Sequence, residues 1–152
     1  MNSQQIGKSG ELLIQYKLLK LGIESSPLTT DSGIDLVAFS HKQRKAYTIQ
    51  VKTNEKPKPS GGKGSLALDW WLKKDSPADL ITVVDLSGDR AWLFTRKTFS
   101  KIAQQNSKVN LHFYMYIDKS VKTKKRAKLH EFDEYVFEKQ AYSIFGVQQP
   151  AI

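Results

Sequence analysis

The chain has 152 residues and no cysteine, and 24 lysines and arginines against 15 acidic residues give it a formal net charge of +9. That length suits one domain burying roughly 70% of its unfolded surface, the absence of thiols excludes a disulfide framework, a thiolate metal site and a cysteine nucleophile, and the charge favours a polyanionic partner. No apolar run approaches the length of a membrane span, and Met1-Asn2-Ser3-Gln4-Gln5 lacks the basic and apolar regions of a secretion signal, so a soluble, cytoplasmic protein is expected, with no membrane partner.

The pattern predicts a first helix from Ser3 to about Leu21, with Ile6, Leu13, Leu18 and Leu21 near one stripe and Gly22 as its stop. Gly7 and Gly10 are poor helix formers, and their presence makes sense if this helix lies close against a sheet. Glu11, taken alone, reads as a solvated acid complementing the helix dipole. Gly22 to Thr30 leads through a short edge segment ending at Pro27, and Thr29 to Gly33 is loop chemistry in which Asp31 serves the turn.

Gly33-Ile34-Asp35-Leu36-Val37-Ala38-Phe39 and Lys45-Ala46-Tyr47-Thr48-Ile49-Gln50-Val51-Lys52-Thr53 flank the polar turn His41 to Arg44 and read as a β-hairpin. Folded symmetrically, it sets Ala38 and Phe39 against Lys45 to Tyr47 and Asp35 opposite Gln50. Gln50 and Lys52 then share one face with Asp35, because side chains repeat every second residue. Such charged groups emerging from apolar strands lose hydration unless an ion or partner compensates them. A hard cation does so: Mg²⁺, or Mn²⁺ in its place, would take oxygen from Asp35, from the Gln50 amide and from the Val51 carbonyl, with Lys52 beside the attacking water.

Gly10-Glu11 in an early helix, Gly33-x-Asp35 on one strand and Gln50-x-Lys52 on the next follow an order that resembles the PD-(D/E)XK nuclease superfamily. The resemblance implies that Asp35 is the central metal ligand, that Lys52 is the catalytic lysine and that Glu11 approaches the metal or its water from the helix. Gln50 departs from the usual acid at its position. In carrying Gln-x-Lys the chain is similar to small group I intron-encoded homing endonucleases of cyanobacterial type. With one fewer negative charge, the site should hold Mg²⁺ weakly until a nucleic-acid phosphate helps coordinate it.

Beyond the hairpin, residues 54–65 combine prolines and glycines with Lys56, Lys58 and Lys63 and read as an exposed basic loop suited to DNA-backbone contact. Its glycines lack the spacing of a phosphate-binding loop, so no nucleotide cofactor is expected. Leu66 to Leu72 predicts a short helix or strand bordering the core, with the tandem Trp70 and Trp71 packed inside. The apolar run Asp79 to Leu86 predicts a central strand covered on both faces, followed by a turn at Ser87-Gly88-Asp89 and a strand from Arg90 to Thr95. A helix from Lys97 to about Asn106 and a strand from Leu111 to Ile117 follow. Residues 119–128, with Lys122, Lys124, Lys125 and Arg126, predict a solvated segment able to grip a duplex, and Glu131 to Ile144 predicts a terminal helix. His41, His112 and His130 lack metal-ligand spacing.

The alternation of elements points to an α/β fold, one domain over 1–152 with a mixed central β-sheet flanked by helices, which is also the restriction-endonuclease-like core that the resemblance implies. The expected activity is metal-dependent hydrolysis of phosphodiesters in double-stranded DNA by a site-specific homing endonuclease. A homodimer or higher oligomer is expected, because one site cuts one strand. Restriction and junction-resolving enzymes are rivals within that class. A non-catalytic DNA-binding protein with a decayed site is the rival from another class, and an ordinary basic fold with an Asp35–Lys52 surface ion pair is a third.

Overall fold

A capping box starts the first helix, α1 (Ser3–Lys20): the Asn2 side chain accepts from the Gln5 amide nitrogen at 2.9 Å and the Gln5 side chain accepts from that of Asn2 at 2.9 Å. Gly22, with φ of 77°, ends it, and the Ile23 nitrogen folds back onto the Leu18 carbonyl at 3.0 Å. The computed structural model describes residues 1–148, so 149–152 of the expected domain lie outside the described residues.

Five strands form a mixed sheet in the order β1-β2-β3-β6-β7: β1 (Glu24–Pro27), β2 (Leu36–Ser40), β3 (Lys45–Asn54), β6 (Leu80–Asp85) and β7 (Arg90–Thr95). Only β3 and β6 pair in parallel, Ile49 facing Leu80. The hairpin register matches the symmetric expectation, with Leu36 against Ile49 and Ala38 against Tyr47. β6 is buried along its whole length, as a strand covered on both faces must be. Leu80 and Val84 enter a core with Ile14 and Leu18 of α1 and with Phe137, Ala141 and Phe145 of the last helix. Ile81 and Val83 enter a second core.

That second core exists because the chain builds another sheet, which the sequence reading did not foresee. β4 (Lys58–Pro59), β5 (Leu66–Lys73), β9 (Asn110–Tyr116) and β8 (Gln105–Asn106) form it in the order β4-β5-β9-β8, antiparallel throughout. Leu68, Trp70, Leu72, Leu111, Phe113 and Met115 alternate inward from it. Three expectations are corrected here. Residues 54–65 are not all loop, since Lys58–Pro59 pairs with Leu66 and Ala67, and Ser60–Gly62 forms a short 3-10 turn. The helix expected to Asn106 is α2 (Arg96–Ile102), capped by the Thr95 hydroxyl and ended where Gln105–Asn106 joins the sheet. Trp70 is 2% exposed but Trp71 is 51% exposed, because consecutive strand residues point to opposite faces.

The terminal helix is also two pieces. Leu129–Tyr135 is a 3-10 segment broken at Phe132, and α3 (Phe137–Phe145) follows. Val136 between them is extended and bridges Trp92. Buried Lys17 of α1 pairs with Glu138 in the first turn of α3, holding both helices on the same side of the sheet.

The close approach expected of α1 is real at one glycine. A Cβ on Gly10 would overlap Thr53 of β3, whereas one on Gly7 would meet nothing within 4 Å. Gly10→Ala should therefore cost about 1–3 kcal/mol in urea unfolding, and combining it with Thr53→Ala should recover most of that loss, since the Thr53 hydroxyl is buried without a hydrogen-bond partner.

Candidate active site

The centre of the site is the place where β2 stops and β3 continues. β3 is ten residues long and β2 five, so beyond the Leu36–Ile49 pair β3 has no partner strand on that side. Asp35, the residue before β2, fills the gap: its nitrogen donates to the Ile49 carbonyl at 2.9 Å and its Oδ2 accepts from the Val51 nitrogen at 2.7 Å. A strand residue points its N–H and C=O the same way. The Val51 carbonyl thus faces the edge that β2 has vacated, and β2 offers it no ladder partner.

Gly33 brings the chain into that position with φ of 84°, and its Cα side lies so close to Pro77 that an added Cβ would sit 3.0 Å from the proline Cδ. Asp31 serves the turn as expected, its Oδ1 accepting from the Gly33 nitrogen at 3.4 Å. It also acts electrostatically on the site, as described next.

Asp35 is half-buried, and burial pushes its carboxyl above the usual carboxylate range; the Val51 bond, Lys52 and Glu11 pull it down, while Asp31 pushes it up. Burial likewise raises Glu11, opposed by the Lys8 ammonium at 3.3 Å and reinforced by Asp35 and then Asp31. Glu11 reaches this point because Gly10 lets α1 lie against β3. The structure therefore brings Glu11, Asp35, the Val51 carbonyl and Lys52 to one locality, with Asp31 as a third acid.

Gln50 and Lys52 point to the other side of β3 from α1, into a cleft of about 540 Å³ that Asp31, Gly33, Lys73 and Ser76 also line. The Gln50 Oε1 accepts from the buried Ser76 hydroxyl at 2.6 Å, and Arg96 fixes the Ser76 carbonyl at 3.0 Å. One lone pair of the Gln50 oxygen remains for a further partner. Lys73 and Ser76 escaped the sequence reading. Lys73 was legible, because Leu68, Trp70 and Leu72 alternate inward and leave Lys73 with Trp71 on the other face; nothing in the sequence marks Ser76.

The donor set fits a hard cation. Two half-buried carboxylates crowd one another with incomplete compensation, the Val51 carbonyl lacks a β2 ladder partner on that edge, and the Gln50 amide offers a further neutral oxygen from the cleft side of β3. Among the described residues no group of three or more His, Asp or Glu side chains is arranged to hold a metal by itself, so the neutral oxygens are needed to complete a shell. The histidines stay apart: His41 bonds Glu24 at 3.1 Å and His112 bonds Asp69 at 2.8 Å.

The basic residues divide into free and engaged. Lys56, Lys58, Lys63, Lys122 and Lys124 are exposed, whereas Lys125 donates to the Gln104 carbonyl at 2.6 Å and Arg126 bonds Glu134 at 3.0 Å while lying over the Phe132 ring.

The architecture, a mixed five-stranded sheet and an antiparallel sheet flanked by helices, is a fold shared with solved structures of two nucleases. A bacterial homing endonuclease, I-Ssp6803I, superposes with a TM-score of 0.62 at 18% sequence identity, covering 95% of this chain and 92% of that one. Hjc, a Holliday junction resolvase from the archaeal hyperthermophile Archaeoglobus fulgidus, superposes with a TM-score of 0.55 at 15% identity, covering 95% and 98%. No family model matches the sequence, and no curated protein matches it either. Among the described residues no helix is long and apolar enough to cross a membrane.

Folding raises the proton affinity of Glu11 and Asp35, so these groups take away stability as the pH rises above the ordinary carboxylate value near about 4. Asp35→Asn, which keeps an oxygen for the Val51 nitrogen, should melt higher than the parent at about pH 7, and that advantage should fade as the pH falls to about 4. Thermal melts across this range check both the sign and the window.

Proposed function

We propose that the chain is a metal-dependent DNA endonuclease that hydrolyses phosphodiesters. The observation that carries this reading is the meeting of Glu11, Asp35 and the Val51 carbonyl, which β2 leaves without a ladder partner, beside Lys52 at the end of the β2–β3 ladder in a nuclease fold. A divalent cation, Mg²⁺ or Mn²⁺, held by Asp35, the Val51 carbonyl and the Gln50 amide with Glu11 near, would supply Lewis-acid polarisation of the phosphate and a more acidic attacking water. Asp35 is held in place for this by its bond from the Val51 nitrogen. Gln50 is oriented by Ser76. The Lys52 ammonium stabilises the deprotonated form of the water and the charge that builds on the phosphate oxygens. The water gives up a proton to bulk solvent, its oxygen bonds to phosphorus as the bond to the leaving sugar oxygen breaks, in line, and the leaving oxygen takes a proton back from solvent.

The wider face agrees with a polyanion as substrate. Exposed Lys56 and Lys58 line a groove between the start of α1 and the end of β3, and Lys73 lines the cleft itself. Each phosphate neutralised adds about 0.9 to the salt dependence of binding. Within the nuclease class we favour a homing endonuclease acting as a dimer or higher oligomer. The Gln-x-Lys pair supports that role, as does the TM-score of 0.62 to the homing endonuclease against 0.55 to the junction resolvase.

The test is cutting of supercoiled plasmid, genomic DNA and a four-way junction with Mg²⁺ and with EDTA, beside Asp35→Ala. Lys52→Ala is expected to keep DNA binding and to slow cleavage by about 10²–10³-fold; undiminished cutting by it would refute the mechanism. Binding without cutting by the parent, across targets, would instead indicate a decayed site.

Gln50→Glu adds a charge at the oxygen that faces the cleft. It should tighten Mg²⁺ binding measured by calorimetry without DNA, and Asp35→Ala should abolish that binding. The opposite order would remove Gln50 from the proposed ligand set.

A further inference from the structure

The second sheet packs one face on the core, and among the described residues no helix or strand covers the other. On the open face β5 places Ala67, Asp69, Trp71 and Lys73, and β9 places Tyr116, Tyr114 and His112 against the first three in register. Trp71 is 51% exposed, while Trp70 and Trp92 are 2% and 1% exposed. An indole half in water is an unused stacking surface.

This indole is also the end of an ordered line of rings. His112 stacks on it with centroids 3.9 Å apart and planes 4° from parallel, and Asp69 and Gln105 hold the His112 ring from both nitrogens, at 2.8 and 3.1 Å. Tyr114 follows at 5.4 Å and Tyr116 at a further 5.7 Å. The two tyrosines separate a hollow of about 180 Å³, bordered by Lys58 and Ala67, from one of about 380 Å³ bordered by Lys122, Lys124 and Lys125. The acid of this face, Asp69, is already bonded to His112.

Aromatic rings flanked by lysines suit one chemistry, that of unpaired nucleotides, whose bases stack on the rings while their phosphates meet the ammonium groups. An uninterrupted duplex keeps its bases stacked inside and would leave Trp71 bare. A second copy, docked face to face, would bring two faces that both carry Lys58, Lys122 and Lys124 together, at a cost in like-charge repulsion. The platform also starts at the cleft. Lys73, two strand residues from Trp71 and about 6.5 Å away along the same face, lines the cleft with Gln50 and Lys52.

We propose that this face is a binding site for unpaired bases of a single strand leaving the cleft, with Trp71, Tyr114 and Tyr116 as stacking residues and Lys58, Lys122 and Lys124 as phosphate contacts. The direction of the strand rests on the nuclease reading of the cleft; the site itself does not need cleavage to be detected.

The experiment titrates the full chain in EDTA with short fluorescent oligo-dT, read by anisotropy, and with the same strand unlabelled, read by tryptophan fluorescence. Trp71 is the exposed indole, so quenching by the unlabelled strand is expected. Trp71→Ala should weaken binding about tenfold or more and abolish the quenching, and Trp71→Phe should keep most of the affinity. Lys122→Gln with Lys124→Gln should flatten the salt dependence. Equal affinity in Trp71→Ala overturns the proposal, as does equal quenching by the blunt duplex. A dimer that Trp71→Ala dissociates, with no quenching by the strand, also overturns it in favour of a second copy. A protein that binds oligo-dT through Trp71 yet never cuts would refute the nuclease reading alone, and one that cuts but ignores Trp71→Ala would refute the platform alone.

Discussion

The structure depends on the 2.7 Å hydrogen bond from the Val51 nitrogen to the Asp35 carboxylate. A β-ladder consumes backbone donors and acceptors in pairs, so a strand in the middle of a sheet has no oxygens to spare. Here β2 begins at Leu36, one residue too late to complete the ladder, and a side chain takes over the donor that would otherwise lack a partner. The carbonyl beside it stays available. Gly33 sets this stopping point, since its left-handed backbone and its contact with Pro77 fix where the chain may enter the strand.

Carboxylates drawn together and partly buried raise the free energy of the folded state, and the rest of the molecule compensates. β6 lies parallel to β3 and is buried on both faces, which gives the site a rigid floor between two cores. α1 is pressed onto β3 at Gly10 and tied to α3 through Lys17 and Glu138. The arrangement exchanges local stability for a preformed cluster of oxygens, the compromise usual where binding geometry is built in advance.

The parts of this design that were legible in the sequence were those with local causes. Alternation and turn chemistry placed β2 against β3 in the correct register, the apolar stripe and the stop at Gly22 bounded α1, and the continuous apolar run identified β6. The second sheet was not legible because its two halves, β4–β5 and β8–β9, are separated along the chain by β6, β7 and α2, and strands of two residues such as Lys58–Pro59 carry no periodic signal. The same reason hid Ser76, whose contact with Gln50 spans 26 positions. Trp71 was misplaced with its neighbour because two adjacent tryptophans look alike until one knows that they sit on a strand. The break at Val136 was invisible for a related reason, being set by a bridge to distant Trp92.

The Lys17–Glu138 pair joins residues 121 positions apart, and β3 finds its parallel neighbour only after the whole stretch that builds β4 and β5. Contacts of such long range form late, since loop closure must precede any reward from pairing. During synthesis the helix carrying Glu11 and the hairpin carrying Asp35 and Lys52 leave the ribosome before α3, the helix that fastens α1. The acidic cluster therefore comes together only after α3 has emerged, and shorter nascent fragments carry the motif without the geometry.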